Sequence, residues 1–480
     1  MPDRAVVDLS APRSIHLVGI GGAGISAIGL ILATMGHRVS GSDVTETAVW
    51  PRLAEAGVTV EVVQASELFS AAARQGADLV GHSTAFPPAA ADLDAAAAAG
   101  ITVLDRAGIL AAICAVRPTV AVSGTHGKTS TTAMLATLLS EVGADPSYLI
   151  GATALGLGRA ARWGGPEGAF VVEADESDGS FLELGATMAV VTNVDEDHLD
   201  HWGSMDAIDA AFDRFLAAAP QRVICIDAPG RPGEVDPRAD RLARAHGAST
   251  VGEAATADYR LHDVTVSHLR TTFGLRHDGV EIGPVVLGTP GRHHALNATL
   301  ALAAAVELGV DVDEGVRALG AYVGVSRRFE VLGVAGGVTV VDDYAHNAGK
   351  VRALVASAKQ AGWDRVVVVF QPHRFTRTRD QGLELGAALA LADLAAVTEV
   401  YGAGEEPIEG ADGLSVLHAL LDSRPRAEVA WTPTLSDVRT WARDRLRPGD
   451  LCLTVGAGDV HGLGPLLLAD LDASKGTGAR

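Results

Sequence analysis

The residues best suited to chemistry lie in one stretch, residues 119–139, which reads TVAVSGTHGKTSTTAMLATLL. A β-branched run breaks into a glycine-bearing loop, and an apolar pattern of helical spacing follows the loop. This order is typical of phosphate sites, in which backbone N–H groups and a helix N-terminus face the phosphate oxygens. Lys128 would neutralise the β- and γ-phosphates of ATP, and the Thr129 hydroxyl would contact Mg²⁺. The loop has the form G-x-x-G-K-T, because Val122 stands where the standard phosphate loop has its first glycine. The competing interpretation is an ordinary turn with a surface lysine.

Two acidic segments follow apolar strands in the same part of the chain. Residues 169–172 run into EADESDG at 173–179, and residues 189–192 run into NVDEDHLDH at 193–201. Buried parallel strands end at one edge of their sheet, where ligands bind, and hard oxygen ligands near phosphate indicate Mg²⁺. A second interpretation is a zinc site built on His198 and His201, which lie three residues apart among aspartates.

A second glycine pattern lies near the N-terminus. Gly19, Gly21 and Gly24 follow a short strand and satisfy G-x-G-x-x-G, and Asp43 ends the next strand. The pattern is compatible with an NAD-dependent oxidoreductase, but any pyrophosphate gains from the same amides and helix dipole. Polar residues follow two later strands of this region and are either nucleotide contacts or ordinary turn residues: His82, Ser83 and Arg106.

The C-terminal third gathers cationic and imidazole groups at predicted strand ends. Residues 338–341 precede DDYAHN, residues 365–370 precede QPHRFTRTR, and residues 451–455 precede GAGD. Three arginines within six residues suit the binding of a carboxylate or of phosphates, although an exposed charged loop is the alternative.

Composition limits the function classes. The chain has 480 residues, 48% apolar and 20% charged, so we expect a globular protein of two to four domains. Its net charge of −21 argues against general binding to nucleic acid or anionic membranes. Three widely spaced cysteines suit a reducing cytosol. Residues 15–36 lack charged side chains, but their glycines fit a strand–loop–helix better than a signal or membrane helix, so we expect a cytoplasmic protein without a targeting segment.

The motifs HLVGIGGAGIS, SGTHGKTSTT, EADESDGSF, NVDEDHLDHWG, GRHHALN, RRFE, DDYAH, FQPHRFTRTRD and VGAGD occur in this order. Together they resemble the Mur ligase family over nearly the full chain. The resemblance implies an α/β fold of three domains, each built on a mostly parallel sheet. These would be a Rossmann-like UDP-sugar domain at 1–117, a central P-loop ATPase domain at 118–322 and a Rossmann-like amino-acid domain at 323–480. The alternating segments between residues 259 and 287 predict an antiparallel patch in the central domain.

Within that family the motifs are most similar to those of the member that joins L-alanine to UDP-N-acetylmuramate. The resemblance then implies an acyl-phosphate intermediate, ATP and Mg²⁺ as cofactors, and peptidoglycan precursor synthesis. The implied catalytic residues are Lys128, Glu173, His198, His346, Arg374 and Arg377. The implied ATP contacts are Gly124, Thr125, His126, Gly127, Lys128, Thr129, Ser130, Asn297, Arg328 and Asp343. The implied UDP-sugar contacts are Gly21, Gly22, Ala23, Gly24, His82, Ser83 and Arg106. The implied Mg²⁺ residues are Thr129, Glu173 and His198, and His198 or a carboxylate beside the metal is the candidate base for the amine.

Two departures from the family pattern and three alternatives stay open. His294 stands where the family usually has Asn, and Asn347-Ala348-Gly349-Lys350 replaces His-Pro-Thr-Glu. No lysine lies between Lys128 and Lys350, so the carbamylated lysine of the sister ligases cannot form in the central domain. The alternatives are a murein-peptide recycling ligase that adds a tripeptide, an NAD-dependent oxidoreductase, and a nucleotide-binding scaffold without activity. We expect small-molecule substrates, no nucleic-acid or membrane partner, and a monomer or weak homodimer.

Overall fold

The computed structural model describes residues 7–476, with all side chains in that range except those of residues 73, 74, 200 and 474–476. The ends of the predicted outer domains, residues 1–6 and 477–480, lie outside the described residues. The described chain forms three sheets flanked by helices, which is the predicted α/β fold class.

The first sheet is parallel and contains five strands in the order β3-β2-β1-β4-β5. Its strands are β1 (Ser14–Val18), β2 (Arg38–Asp43), β3 (Thr59–Val62), β4 (Leu79–His82) and β5 (Thr102–Asp105). Strand β1 lies between β2 and β4, so the strand order reverses direction beside it. In open α/β sheets this switch point is where a crevice for ligands forms at the carboxyl edge.

The second sheet contains ten strands in the order β15-β14-β13-β12-β11-β10-β6-β9-β7-β8. The strands are β6 (Thr119–Ser123), β7 (Ser147–Ala154), β8 (Arg159–Arg162), β9 (Phe170–Glu173), β10 (Met188–Val191), β11 (Gln221–Cys225), β12 (Ser249–Gly252), β13 (Tyr259–Ser267), β14 (Arg270–His277) and β15 (Val280–Leu287). Strand β6 pairs in parallel with β9 on one side and β10 on the other. The loops that follow these three strands therefore leave the sheet at the same edge.

Hairpins extend this sheet at both ends. Strands β13, β14 and β15 are neighbours joined by two-residue connections, which only antiparallel strands can accept. This agrees with the predicted antiparallel patch. The sequence analysis did not predict the antiparallel β7–β8 hairpin at the other end.

The third sheet contains six strands in the order β16-β17-β21-β18-β19-β20. The strands are β16 (Glu330–Ala335), β17 (Val338–Asp343), β18 (Arg365–Phe370), β19 (Leu394–Val397), β20 (Glu428–Trp431) and β21 (Asp450–Val455). Strand β16 is antiparallel to β17, and the other pairs are parallel. The buried runs at residues 338–341 and 366–369 consist mostly of valine and suit the interior of this sheet, because both faces of β17 and β18 are covered.

The α-helices bury small aliphatic side chains against the sheets. They are α1 (Ala23–Thr34), α2 (Trp50–Glu55), α3 (Leu68–Arg74), α4 (Ala90–Ala98), α5 (Arg106–Cys114), α6 (Lys128–Glu141), α7 (Leu199–Trp202), α8 (Met205–Ala218), α9 (Pro237–His246), α10 (Arg292–Glu307), α11 (Val312–Leu319), α12 (Ala348–Gln360), α13 (Phe375–Leu389), α14 (Gly413–Ser423), α15 (Leu435–Arg445) and α16 (Leu463–Gly476). By the density of internal contacts the chain divides into two compact units. One unit comprises residues 1–263, 273–285 and 295–322, and the other comprises residues 264–272, 286–294 and 323–480.

The charge-free segment at residues 15–36 forms β1, a glycine loop and the 12-residue helix α1. Across the part of the chain that the structure describes, no helix has both the length and the apolar character needed to span a bilayer.

Candidate active site

The phosphate loop connects β6 to α6, as the sequence predicts, and its backbone requires two glycines. Gly124 has φ of 132°, and a Cβ at this position would lie 2.1 Å from the Thr192 hydroxyl oxygen. Gly127 has φ of 86° and caps α6 in the left-handed conformation. A Cβ on Gly127 would lie 2.7 Å from Asn297 Oδ1. The same geometry therefore places the predicted ATP residue Asn297 directly against the phosphate loop.

The loop is also held from the next strand end. The N–H of His126 donates to Asn193 Oδ1 at 2.9 Å, and the Asn193 amide donates back to the His126 carbonyl at 2.9 Å. The hydroxyl of Thr125 lies 2.9 Å from the N–H of Asp195, which donates to it. These bonds fix the loop before any ligand binds, which reduces the ordering cost of binding a phosphate chain.

The predicted metal residues Thr129 and Glu173 lie together. The Thr129 hydroxyl donates to Glu173 Oε1 at 2.9 Å, and the N–H of Gly151 donates to Glu173 Oε2 at 2.7 Å. Thr129 belongs to the first turn of α6, and Glu173 ends β9. A hydroxyl and a carboxylate beside a phosphate loop are the hard oxygen donors that Mg²⁺ prefers, so these two residues fit the ion.

Lys128 contacts a carboxylate that the sequence analysis did not assign. Its Nζ lies 2.8 Å from Glu176 Oε1 and 2.6 Å from Oε2, and it donates to the Gly124 carbonyl at 2.9 Å. Burial raises the pKa of Glu176, while the neighbouring Lys128 ammonium opposes that rise. The only sequence signal for Glu176 was its place in the acidic segment after β9.

His198 lies beside the Glu176 carboxylate. Its Nε2 is 3.9 Å from Glu176 Oε1 and 3.8 Å from Asp197 Oδ2. His198 has φ of 53° and precedes the short helix α7, whose Trp202 donates through Nε1 to the Glu176 carbonyl at 3.0 Å. Strained left-handed residues often occur at functional sites, where the surrounding structure holds them.

The zinc interpretation has no ligand set in the structure. Over the described residues, no group of three or more His, Cys, Asp or Glu side chains is arranged to hold a metal ion. His201 instead packs against the Trp202 ring, with ring centroids 4.8 Å apart.

The second glycine loop lies at the carboxyl edge of the first sheet, at its switch point. Gly22 caps α1 without a side-chain hydrogen bond, so Ala23 and Gly24 begin a helix whose N-terminus carries a partial positive charge. A Cβ on Gly24 would lie 3.5 Å from Arg106 Nη1, and a Cβ on Gly19 would lie 2.9 Å from Ser83 Cβ. The structure thus brings Arg106 and Ser83, from the ends of β5 and β4, to the glycine loop.

His82 ends β4 beside this loop, and its Nδ1 lies 3.0 Å from the Ser83 carbonyl. The Asp43 carboxylate accepts from the N–H of Gly21 at 2.7 Å and from the N–H of Val44 at 2.7 Å. One oxygen of Asp43 therefore binds the backbone of the glycine loop, and the other binds the N–H of the next residue. This use of Asp43 weakens the NAD interpretation, which needs that carboxylate for a ribose.

In the second compact unit, Asp343 ends β17 and accepts from the N–H groups of Phe329 and Ala345, each at 2.8 Å. Burial raises the pKa of the Asp343 carboxyl. Arg328 lies close enough to lower that pKa by its charge. Arg327, the residue before Arg328, donates to the Gly456 carbonyl at 2.7 Å. No role was assigned to Arg327 from the sequence.

His346 follows the same strand. Its Nδ1 donates to the Tyr344 carbonyl at 3.0 Å, and burial lowers the pKa of its imidazole to about 4. His346 is therefore neutral at physiological pH, with Nε2 left as a hydrogen-bond acceptor.

The cationic pair predicted at the end of β18 lies around the start of α13. Arg374 has φ of 71° and caps this helix, and Arg377 Nη1 donates to His373 Nδ1 at 3.3 Å. Glu405 accepts from the N–H of Thr376 at 3.0 Å and lies 4.0 Å from Arg374 Nη1. The His373 ring stacks on Tyr401 with centroids 5.7 Å apart and lies 6.0 Å from the His346 ring. His373 belongs to the motif FQPHRFTRTRD, whereas nothing in the sequence indicated Tyr401 or Glu405.

The structure places His294 in a buried position at the start of α10, with 5% exposure. Its Nδ1 donates to the Pro290 carbonyl at 2.8 Å, and burial lowers its pKa to about 4. The departure at residues 347–350 leaves a regular helix start, because the Asn347 side chain accepts from the N–H of Lys350 and caps α12.

Three family descriptions match the chain in consecutive order. They are the Mur ligase family catalytic domain over residues 14–117, the Mur ligase middle domain over residues 122–305 and the Mur ligase glutamate ligase domain over residues 327–458. Together they cover most of the chain, and the chain belongs to the Mur ligase family.

Relatives within the family carry a more specific name. A UDP-N-acetylmuramate–L-alanine ligase of Acidothermus cellulolyticus is 43% identical over 458 residues, which cover 94% of each chain. An enzyme of the same name from an Anaeromyxobacter species is 40% identical over 467 residues, which cover 97% of this chain and 99% of the relative.

Solved structures agree with this comparison. The crystal structure of a UDP-N-acetylmuramate–alanine ligase from Thermotoga maritima is 26% identical with a TM-score of 0.77, and the match covers 96% of this chain and 100% of that one. A murein peptide ligase from Psychrobacter arcticus matches with a TM-score of 0.61 at 23% identity, which supports the fold alone.

Proposed function

We propose that this protein uses ATP to join L-alanine to the lactyl carboxylate of UDP-N-acetylmuramate. Its relatives are named UDP-N-acetylmuramate–L-alanine ligases, which supports the two substrates. The observation that carries the proposal is the β6–α6 loop, in which Lys128 lies at a phosphate-type turn beside the Thr129–Glu173 pair. In a Mur ligase this arrangement suits phosphoryl transfer.

The chemistry explains why a nucleotide is needed. A carboxylate cannot be joined directly to an amine, because the leaving group would be an oxide or hydroxide. The lactyl carboxylate attacks the γ-phosphorus of ATP, the bond to the ADP oxygen breaks, and an acyl phosphate forms. The amine of alanine attacks the acyl carbon, and the tetrahedral intermediate expels inorganic phosphate. Lys128 stabilises negative charge on the transferring oxygens, so the protein contributes mainly positioning and electrostatics.

Mg²⁺ fits this site through Thr129 and Glu173, with His198 as a further predicted ligand. When bound, the ion supplies positive charge that neutralises the phosphate oxygens. The candidate for accepting the amine proton is either a carboxylate beside the metal or His198, the latter only where it does not bind the ion. His198 Nε2 lies 3.9 Å from Glu176 Oε1 and 3.8 Å from Asp197 Oδ2.

We assign the UDP-sugar to the first sheet and its switch point. The diphosphate contacts are Gly21, Gly22, Ala23 and Gly24, with His82, Ser83 and Arg106 beside them. The support is the uncapped N-terminus of α1 and the approach of Arg106 to Gly24.

ATP is assigned to the loop residues 124–130 together with Asn297, Arg328 and Asp343. L-Alanine and the reacting groups are assigned to His346, Arg374 and Arg377. Two guanidinium groups suit an amino-acid carboxylate, and the neutral His346 adds a hydrogen-bond acceptor. The proposed domains are residues 1–117, 118–322 and 323–480. We place the enzyme in the cytoplasm, in peptidoglycan precursor synthesis, because its three buried free thiols suit a reducing compartment.

The decisive experiment measures phosphate release from ATP with UDP-N-acetylmuramate and a panel of amino acids. We expect release that depends on both the sugar nucleotide and L-alanine. Release that requires a tripeptide in place of L-alanine would identify the recycling ligase instead. Tight NADH binding by calorimetry, without binding of the sugar nucleotide, would overturn the assignment.

Lys128→Ala should lower kcat/KM by at least about a hundredfold, because it removes a charge contact made in the transition state. The matched control is Lys359→Ala, since Lys359 pairs with Asp393 on the surface of the other compact unit. We expect the control to keep wild-type ligation. Near-normal activity of Lys128→Ala would remove the phosphate role of this lysine.

A further inference from the structure

We propose that Glu176 is a positioning residue whose carboxylate fixes the Lys128 ammonium for phosphoryl transfer. The inference rests on the proposed function, in which Lys128 contacts the transferring phosphate. Glu176 itself is not among the catalytic, ATP-binding or metal-binding residues assigned above.

Two groups hold the ammonium of Lys128 in place. Lys128 lies between the Glu176 carboxylate, at 2.6 and 2.8 Å, and the Gly124 carbonyl, at 2.9 Å. An ammonium group has three N–H donors. With one N–H shared between the two carboxylate oxygens and one given to Gly124, the third is available to a phosphate oxygen. A flexible four-carbon side chain is thereby held in one rotamer.

Glu176 is itself held in place by burial and by hydrogen bonds to its backbone. Its side chain is 5% exposed, and its carbonyl accepts from Trp202 Nε1 at 3.0 Å and from the N–H of Gly179 at 3.3 Å. Trp202 in turn packs edge-to-face on Phe181, with centroids 6.4 Å apart. The acidic segment after β9 is thus anchored to α7, and the carboxylate it presents has little freedom to move.

Lys128 and Glu176 form a largely buried ion pair. A buried ion pair contributes little net stability, because the desolvation of both charges offsets their attraction. Burial also raises the pKa of Glu176, so the carboxylate carries a cost in this position. The pair joins two loops that leave adjacent parallel strands, β6 and β9, at one edge of the sheet. Orientation of Lys128 accounts for such a pair better than stability does.

The charge of Glu176 gives the inference a distinctive kinetic signature. A negative group beside a polyphosphate site weakens ATP binding, while the oriented ammonium favours the transition state. Removal of the charge should therefore lower kcat without raising the KM for ATP. A general loss of structure would not give that split.

The test compares Glu176→Gln with wild type by steady-state phosphate release. Glutamine keeps the size and one acceptor oxygen but loses the charge-assisted hydrogen bond. We expect kcat to fall at least about tenfold, with the KM for ATP unchanged or lower. Glu176→Ala should lower kcat further in the same direction. The control is Glu183→Gln, the same substitution at an exposed position shortly after the acidic segment, which should leave both constants unchanged.

A double-mutant cycle then asks whether Glu176 acts through Lys128. In a Lys128→Ala background, Glu176→Gln should change kcat less than twofold. If Glu176→Gln keeps kcat within twofold of wild type, or if its effect persists in full without Lys128, the inference is wrong. Failure of the proposed function is a different result, because the wild type itself would then release no phosphate in response to UDP-N-acetylmuramate and L-alanine. Melting curves of each variant exclude misfolding, and Glu176→Gln, which is isosteric, carries the test if Glu176→Ala does not fold.

Discussion

At the level of single residues, the phosphate loop depends on side chains that come from other strands. Asn193 binds the loop backbone from the end of β10, and Glu173 binds Thr129 from the end of β9. These partners lie 67 and 44 residues away in the chain from the groups they bind. The conformation of the loop therefore depends on residues at the ends of neighbouring strands as much as on its own sequence.

Removal of the Thr129 hydroxyl should weaken the binding of Mg²⁺. Thr129→Val keeps the shape of the side chain but removes a hard oxygen donor beside Glu173. We expect the Mg²⁺ concentration for half-maximal activity to rise about tenfold or more, with a lower kcat. A magnesium titration of phosphate release measures this.

Ser140→Ala is the control for the loss of a hydroxyl from the same helix, because Ser140 bonds the Ala136 carbonyl at the far end of α6. It should leave the magnesium dependence unchanged. An unchanged magnesium dependence in Thr129→Val would exclude the hydroxyl from the metal site.

Sequence reasoning could identify Lys128 and Thr129 because their spacing within one loop carries the signal. It could not identify Glu176, since the Lys128–Glu176 contact spans 48 residues and depends on the order of strands in the sheet. Arg327 and Arg328 illustrate the same limit. Adjacent arginines have equal sequence signals, and only the structure shows Arg327 bound to the Gly456 carbonyl. The roles of all these side chains stay predictions until they are tested.

At the level of elements, the turn from β6 to α6 is determined by steric exclusion. Residues 119–139 combine a buried strand, two glycines in conformations that L-residues avoid, and an almost fully buried helix. The local sequence is sufficient to predict this strand, turn and helix, and the prediction agrees with the structure, although residues at the ends of β9 and β10 hold the loop in place.

Gly124→Ala tests the steric requirement. The new methyl group would meet the Thr192 hydroxyl at 2.1 Å and the Asn193 carbonyl at 2.9 Å, with φ at 132°. We expect a loss of stability of about 1–3 kcal/mol from backbone strain alone and a higher KM for ATP. Urea denaturation followed by circular dichroism and ATP kinetics measure the two effects.

The Gly143→Ala variant separates the effect of backbone strain from the effect of a steric clash with the new methyl group. Gly143 also has positive φ, at 75°, but a methyl group at this position would meet no other atom within 4 Å. The substitution should lower the denaturation midpoint modestly and leave the KM for ATP unchanged. Equal kinetic effects in the two variants would show that the packing of Gly124 against β10 has no part in nucleotide binding.

Other elements could not be predicted from local sequence. The β7–β8 hairpin lies in a stretch rich in glycine and alanine, SYLIGATALGLGRAAR, in which neither alternation nor a turn signature is clear. Its pairing is determined by β9, which joins β7 in parallel. The antiparallel patch was predictable because His277-Asp278-Gly279 separates two alternating runs.

At the level of the whole molecule, the composition determines how the cores are built. Alanine, valine and leucine fill the sheets, and the three cysteines serve as small core residues: Cys114, Cys225 and Cys452. Burial raises the pKa of each thiol to about 12. Thiolate, the reactive form, is therefore almost absent from the native protein.

We expect a thiol reagent to label no cysteine in the native protein and all three after denaturation. Leu383→Cys is the positive control, because Leu383 is 74% exposed on α13, and this variant should take up one label in the native state. Rapid labelling of wild type under native conditions would contradict the burial of these thiols.

The number of sheets and the fold class could be predicted from the order of strand, loop and helix patterns along the chain. The division of the contacts into two compact units could not, because it depends on packing between helices and sheets that are distant in sequence. The three proposed domain ranges remain a prediction for the same reason.

The contacts around Lys128 also limit which residue can replace it. Elsewhere the protein uses arginine almost exclusively, with 34 arginines against three lysines. A planar guanidinium is wider than an ammonium and spreads its donors in a fork, so it cannot fill the small space between the Gly124 carbonyl and Glu176. A Lys128→Arg substitution would follow the composition of the rest of the chain, but it meets a geometric barrier at this position.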